Sequence, residues 1–152
     1  MLPSSENWAK ISAALLKDHK SIHRSNRAQI LDDSLTLARE DLLDYPVALE
    51  TTEYLRKEVD YIPWAAAIAE FKYIGLMLGR TAGYGAYKEF MIHQLLPLYR
   101  HLGFDNKDSD SSMDIELREE VINILCSVGH DDCEEKATLV FRAWKHSPSN
   151  EI

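Results

Sequence analysis

Apolar residues recur every three or four positions along most of the 152-residue chain, which is the spacing of amphipathic helices. The pattern predicts about seven helices, near residues 6–18, 26–43, 46–55, 63–80, 84–102, 113–127 and 131–146. No alternating strand pattern competes with this periodicity. The sequence therefore predicts an all-α fold.

Short links between consecutive helices favour antiparallel neighbours. From the second helix onward, the predicted pairs recur about every 40 residues, which is the period of HEAT-like repeats. We therefore expect a single helical domain over residues 1–152, built as a fragment of a right-handed, HEAT-like α-solenoid. This expectation depends on the layout of the helices, because the pairs share no residue repeat.

Capping residues and prolines set the expected helix ends. Ser25 is typical of an N-cap before the second helix. Pro46 and Pro63 fit the first turns of the third and fourth helices, where a missing N–H is tolerated. Pro97 lies inside the fifth helix and is expected to kink or split it. The fourth helix is apolar almost all round over residues 64–78, so a central position is predicted.

Residues 105–112 form a polar run that predicts a flexible acidic loop. Asp105, Asp108 and Asp110 give the run a superficial similarity to a calcium-binding loop. It lacks the glycine at the sixth position and the glutamate at the twelfth that an EF-hand needs. We therefore expect no calcium site here.

The net charge of −8 disfavours binding to nucleic acid or to anionic membrane surfaces. No apolar stretch approaches the roughly 20 residues of a membrane-spanning helix. The first residues have neither the basic nor the apolar region of a signal peptide. On this sequence alone, a chain expressed as given is expected in the cytoplasm.

His19 and His23 are the strongest candidates for metal chemistry, because ligands four residues apart can share one helix face. The zinc-protease pattern needs a glutamate directly after the first histidine, and Lys20 stands there. Leu42 occupies the position of the third ligand in that class. We therefore expect no metal or catalytic residue, and the alternative is an independent hydrolase that uses the two histidines.

Other catalytic patterns are missing from the sequence. It contains no nucleophile elbow and no glycine-rich phosphate loop. The adjacent carboxylates Asp32 and Asp33 diverge on a helix, so they cannot share a proton as a catalytic dyad does. We expect them instead to pair with Arg27 and tie helices together.

Cys126 and Cys133 are separated by six residues. Gly129 fits the position just after the sixth helix, and Asp131 or Asp132 fits the cap of the seventh. The two cysteines would then face each other across a helical hairpin. A disulfide there would add about 2.5 kcal/mol by loop entropy, whereas two reduced buried thiols are equally compatible with the spacing.

Five stretches of the chain, in order, resemble stretches of aminopeptidase N, a member of the M1 family of zinc aminopeptidases. The family patterns are N-R-A-Q-I-[IL]-[DN]-D, Y-[MI]-P-W-E-A-A, Y-G…x-P-L-[FY], C-x6-C-E-E and F-[KR]-x-W. The matching segments are residues 26–33, 61–67, 84–85 with 94–99, 126–135 and 141–144.

The resemblance implies the N-terminal portion of an ERAP1-C-like helical domain, a HEAT-like bowl that encloses the peptide-binding cavity of the parent enzyme. It implies a non-catalytic role beside the rest of that enzyme or a peptide. The alternative to structural pairing is then that Arg27 faces the peptide cavity of the parent enzyme. The zinc motif lies upstream in the family, so no cofactor is expected in this chain. It also implies a disulfide between Cys126 and Cys133 and an extracellular or cell-surface location.

Two departures from the family pattern leave alternatives open. A β-rich segment usually precedes this region, and the helical domain continues beyond Pro148. The sequence is compatible with a fragment, a short isoform or an independent protein. If it is part of a solenoid, we expect exposed apolar surface on the first or last helix pair, and self-association through it. The alternative is a freestanding helical-repeat module that binds a peptide or protein.

Overall fold

The computed structural model describes residues 5–146. Seven α-helices account for most of them: α1 Ser5–Asp18, α2 Arg24–Arg39, α3 Tyr45–Glu50, α4 Tyr61–Leu78, α5 Tyr84–Leu102, α6 Ser112–Ser127 and α7 Asp131–Lys145. Two short 3-10 helices, His19–Ser21 and Glu53–Lys57, follow α1 and α3. Residues 5–146 contain no strand, and the predicted all-α class is confirmed.

The helices form two compact units, of which the first ends at Tyr87 and the second begins at Lys88, inside α5. In the first unit, α2 packs mainly against α4, and α3 contacts both α1 and α2. In the second unit, α6 packs against α7. The single-domain organisation and the solenoid arrangement stay predictions.

Helix α4 supplies the centre of the first unit over its first three turns. Trp64 and Phe71 are fully buried, as the sequence predicts. The Trp64 indole N–H donates a 3.0 Å hydrogen bond to the backbone carbonyl of Glu58, which satisfies its one polar group. The last turn differs, because Leu76 and Met77 are 79% and 59% exposed. Only the N-terminal part of this apolar helix is therefore central.

The ends of α2 differ from those predicted. His23, and not Ser25, is the N-cap, and its ring nitrogen Nδ1 accepts a hydrogen bond from the Ser25 amide. The helix ends at Arg39 rather than near residue 43, because Asp41 adopts a left-handed φ of 59°. The amide of Leu42 then donates back to a carbonyl of the last turn, at 2.9 Å. Glycine is the usual residue at a helix end with a positive φ, so the aspartate at position 41 did not indicate that α2 ends there.

The predicted third helix is divided into α3 and the following 3-10 helix. The hydroxyls of Thr51 and Thr52 each donate a 2.7 Å hydrogen bond to the carbonyl three residues back. These bonds compete with helical ones and end α3 early. Tyr54 and Leu55 of this 3-10 helix are both buried.

Helix α5 continues through Pro97 without being split, contrary to one of the two predicted outcomes. Proline removes only one backbone donor, and the remaining helical hydrogen bonds hold the helix together. The residues that follow on α6 complete the apolar core of the second unit. Its fully buried members on the two helices are Met91, Leu95, Leu98, Leu117, Val121 and Leu125.

Candidate functional site

The histidine pair does not form a zinc-like site. His19 begins a 3-10 helix, whereas His23 caps α2, so the two do not share one face of a helix. His19 packs against the Tyr54 ring, with 5.5 Å between the ring centroids. Among the described residues there is no group of three histidine, cysteine or acidic side chains that could hold a metal ion.

Arg27 forms a buried ionic cluster with Glu58 and Asp60. Its Nε donates to Glu58 Oε2 at 2.6 Å, and one terminal nitrogen donates to Glu58 and Asp60 at 3.2 and 2.6 Å. The other terminal nitrogen donates to the carbonyls of His19 and Ile22. All five guanidinium protons are thus engaged inside the unit, which leaves none for a peptide.

The cluster differs from the predicted pairing. Asp32 and Asp33 are exposed, and Asp33 accepts a hydrogen bond from Gln29 rather than from Arg27. Burial alone would lower the Arg27 pKa, but the hydrogen bond and charge of Glu58 outweigh it and leave that pKa raised. Arg27 therefore stays charged, and its hydrogen bonds hold the segment before α4 against α2.

Two buried polar atoms lie beside this cluster without a hydrogen-bond partner, His19 Nε2 and the Tyr54 hydroxyl. Burial, followed by the negative charge of Glu58, holds the Tyr54 pKa well above its ordinary value. The hydroxyl therefore stays protonated under all ordinary conditions. The Glu58 carboxylate beside Tyr54 is already bound by Arg27 and by two backbone amides, so it is not a free base.

A second buried arginine fastens the loop between α5 and α6. Arg118 is 2% exposed and lies 2.7 Å from an oxygen of Asp110. It also donates to the Asn106 side chain and to the Leu102 carbonyl, at 2.8 and 3.1 Å. Asp110, which a calcium loop would use as a ligand, is thus already paired with an arginine. The flexibility of residues 105–112 stays a prediction.

Cys126 and Cys133 are joined by a disulfide, as the family resemblance implies. The bond links the last turn of α6 to the first turn of α7. Gly129, with φ of 82°, takes the predicted position after α6. The predicted aspartate cap is wrong, because the N-cap of α7 is His130. Asp131 and Asp132 lie in the first turn instead, where carboxylates suit the positive end of the helix dipole.

A cavity of about 480 Å³ lies in the second unit, beside the start of α7. Its polar lining includes Tyr99, whose hydroxyl donates a 2.7 Å hydrogen bond to Asp132 Oδ2. Lys136 Nζ contacts the same oxygen at 2.8 Å and lies over the Tyr99 ring. The hydrogen bond from Lys136, followed by the weaker effect of the one from Tyr99, holds the Asp132 pKa below its ordinary value. Arg100 and His130 complete the polar lining.

Helix α7 presents a strongly exposed apolar face. Leu139, Val140 and Phe141 are 57%, 38% and 58% exposed, and only Cys133 is buried on the helix. Phe141 packs against Trp144 of the same helix, with 5.6 Å between the ring centroids. This confirms the expectation of uncovered apolar surface on the last helix pair. Within residues 5–146, no helix is long and apolar enough to cross a membrane.

Sequence reasoning missed the partners of both buried arginines and the whole cavity lining. One signal was present for the arginines. Arg27 precedes Leu31 by four residues, and Arg118 precedes Val121 by three, so each lies on the apolar stripe of its helix. A charged residue on such a stripe must be paired, because burying an unpaired charge costs roughly several kcal/mol.

Comparisons with known proteins place this architecture in a family. Residues 2–152 match the family model described as ERAP1-like C-terminal domain. The chain is 35% identical to aminopeptidase N of Plutella xylostella over 147 residues, which cover 97% of this chain and 16% of the relative. It is 34% identical to aminopeptidase N of Homo sapiens over 149 residues, covering 95% and 15%.

A third relative is the thyrotropin-releasing hormone-degrading ectoenzyme of Rattus norvegicus, 32% identical over 152 residues, covering 96% of this chain and 14% of the relative. The chain therefore spans only about 14–16% of the length of these relatives. It belongs to the family of ERAP1-like C-terminal domains, the helical C-terminal domains of M1 aminopeptidases.

Proposed function

We propose that this chain is a non-catalytic helical segment of a zinc-dependent aminopeptidase, in which it helps to enclose the peptide-binding cavity. The family and the length of its members support this placement, since the chain covers 16% of the Plutella xylostella relative. Because zinc does not fit the described residues, the catalytic step is assigned to other parts of the enzyme.

The exposed face of α7 is the observation that carries the proposal. An amphipathic helix on a finished surface turns its apolar stripe inward, whereas α7 leaves Leu139 and Phe141 more than half exposed. Terminal repeats of a solenoid need a polar outer face for solubility, and on α7 large apolar side chains interrupt the exposed charged residues. We infer that further helices of the same enzyme cover this face.

The buried arginines and the disulfide suit a segment that keeps a fixed shape beside a substrate. Arg27 and Arg118 each fasten a loop through charged hydrogen bonds, and the disulfide joins α6 to α7. Disulfides persist in oxidising compartments, and the rat relative is named an ectoenzyme. We therefore propose an extracellular or cell-surface location, with the remainder of the aminopeptidase as the main partner.

A chimera tests the proposal. The matched 147 residues of the Plutella xylostella aminopeptidase N are replaced by this chain, and kcat/KM is measured for a dipeptide and for an octapeptide. We expect both substrates to be turned over. The ratio of the two kcat/KM values should differ from that of the unaltered enzyme by about threefold or more. Only the octapeptide is long enough to contact the part of the cavity that this chain encloses. An unchanged ratio would refute the enclosing role.

A matched pair of variants tests the covering of α7 in the same chimera. Phe141→Glu should lower the thermal inactivation temperature of the enzyme by several degrees, roughly the effect of 1–2 kcal/mol. Thr138→Glu adds the same charge at an exposed position outside the aromatic pair and should have little effect. A Phe141→Glu variant as stable as the unsubstituted chimera would show that no helix covers this face.

The isolated chain offers a second measurement. With α7 uncovered, the 152-residue protein should self-associate, and sedimentation velocity should show a concentration-dependent dimer. Phe141→Glu should shift it to monomer, and Thr138→Glu should not. A freestanding peptide-binding module is the alternative function, and a strictly monomeric chain with an intact α7 would favour it.

A further inference from the structure

The cavity beside the start of α7 has the dimensions and lining of a small-ligand site. Its volume of about 480 Å³ falls within the roughly 300–1,000 Å³ of such sites. Leu96, Phe104 and the ring of Tyr99 supply apolar surface. The polar groups lie among them, as in sites that orient a ligand by a few contacts.

The charges in the lining leave one cation unbalanced. The Asp132 carboxylate is already engaged by Lys136 and by the Tyr99 hydroxyl. Arg100 forms no ion pair with any residue in the part of the chain that the structure describes. Counting Arg100, Lys136 and Asp132, the charges are +1, +1 and −1, which leaves +1 in a chain whose net charge is −8.

His130 belongs to the same lining. It is the N-cap of α7, but its side chain makes no capping hydrogen bond, unlike His23 at the start of α2. Its Nδ1 atom is buried and has no hydrogen-bond partner. Because this atom has no accessible surface, a ligand in the cavity would contact other atoms of His130, and recognition of an anion depends on Arg100.

We propose that this cavity binds a carboxylate attached to an apolar or aromatic group, with the Arg100 guanidinium recognising the anion. The guanidinium fork matches the two oxygens of a carboxylate, and the apolar wall accepts the attached side chain. A free organic acid and the C-terminal residue of a peptide share this chemistry. The inference does not depend on the proposed enclosing role, because every lining residue belongs to the second unit.

The test is an NMR titration of the ¹⁵N-labelled, disulfide-bonded 152-residue chain at constant ionic strength. The probes are N-acetyl-phenylalanine and its neutral amide. We expect saturable shifts of the amides of residues 99–104 and 130–136 with the acid and much weaker ones with the amide. Arg100→Gln should weaken binding of the acid about fivefold or more. Arg142→Gln, an exposed arginine elsewhere in the same unit, should not.

Hexapeptides that end in phenylalanine, with a free or an amidated terminus, distinguish the two sources. Tighter binding of the free-terminus peptide than of N-acetyl-phenylalanine identifies a peptide end, whereas equal or weaker binding identifies a small acid. Either result supports a carboxylate site. Equal binding of acid and amide, no saturable binding of either, or equal losses in Arg100→Gln and Arg142→Gln would overturn the proposal.

Discussion

Replacing Glu58 by glutamine removes one negative charge from a buried site while nearly preserving the shape of the side chain. Glu58 Oε1 accepts hydrogen bonds from Arg27 and from the amides of Val59 and Asp60, and Oε2 accepts one from Arg27. A glutamine keeps only one of these oxygens. If that oxygen serves the two backbone amides, the new NH₂ group faces the Arg27 Nε, donor against donor.

The cost follows from what remains around Arg27. Removing one partner of a buried ion pair costs about 3–5 kcal/mol, because the other charge is left without compensation. Asp60 still faces Arg27, but its side chain is 42% exposed and its charge is partly screened. We therefore expect a loss near the lower limit, about 3 kcal/mol. In urea this shifts the unfolding midpoint by about 1.5 M, for an m-value near 2 kcal/mol/M.

The fluorescence of Trp8 and Trp64 provides a probe of the first unit, provided that Trp144 is replaced by phenylalanine. Trp64 reports directly on the substituted residue, because its indole N–H donates a hydrogen bond to the backbone carbonyl of residue 58. Glu53→Gln, an exposed position nearby, is the matched control and should change stability by less than about 0.5 kcal/mol. Equal unfolding midpoints for Glu58→Gln and Glu53→Gln would contradict this expectation.

Two further outcomes follow from the geometry. Gly75→Ala should destabilise the first unit by about 1–3 kcal/mol, because its Cβ would lie 2.5 Å from the hydroxyl of Tyr87. Gly85→Ala, whose Cβ meets no atom within 4 Å, should be neutral or stabilising in the same urea titration. Ser111→Ala should cost about 1 kcal/mol near pH 6, because it removes the capping box of α6. The Ser111 hydrogen bonds lower the Asp114 pKa, so this cost is present at neutral pH and shrinks as the pH falls from about 5 to 2.

Helix positions follow from the sequence because the apolar stripe of each helix is a local, periodic signal. All seven predicted helices exist, and Gly129 ends α6 as its residue type indicates. The errors occur where short-range hydrogen bonds decide. The hydroxyls of Thr51 and Thr52 end α3, and the φ of 59° at Asp41 ends α2. Neither residue type requires the conformation that it adopts.

The partners of buried charges could not be predicted in the same way. Arg27 lies 31 positions from Glu58 and 33 from Asp60, so no local pattern connects them. The nearby acidic pair, Asp32 and Asp33, is closer in sequence. It faces solvent, because positions five and six residues along a helix point away from the first. Pairing over that distance requires knowledge of which helices pack together.

The cavity and the exposed face of α7 differ in what the sequence reveals about them. Both use the same helix: Asp132 and Lys136 line the cavity on one side, and the exposed Phe141 lies on the opposite side. The exposed apolar residues indicate a covering partner, but they do not identify it. The role of the polar residues cannot be predicted from α7 alone, because it depends on the hydrogen bond that Tyr99 of α5 donates to Asp132. A helix that uses one side for a polar cavity and leaves the other uncovered is better suited to an interior position in a larger helical domain than to its surface.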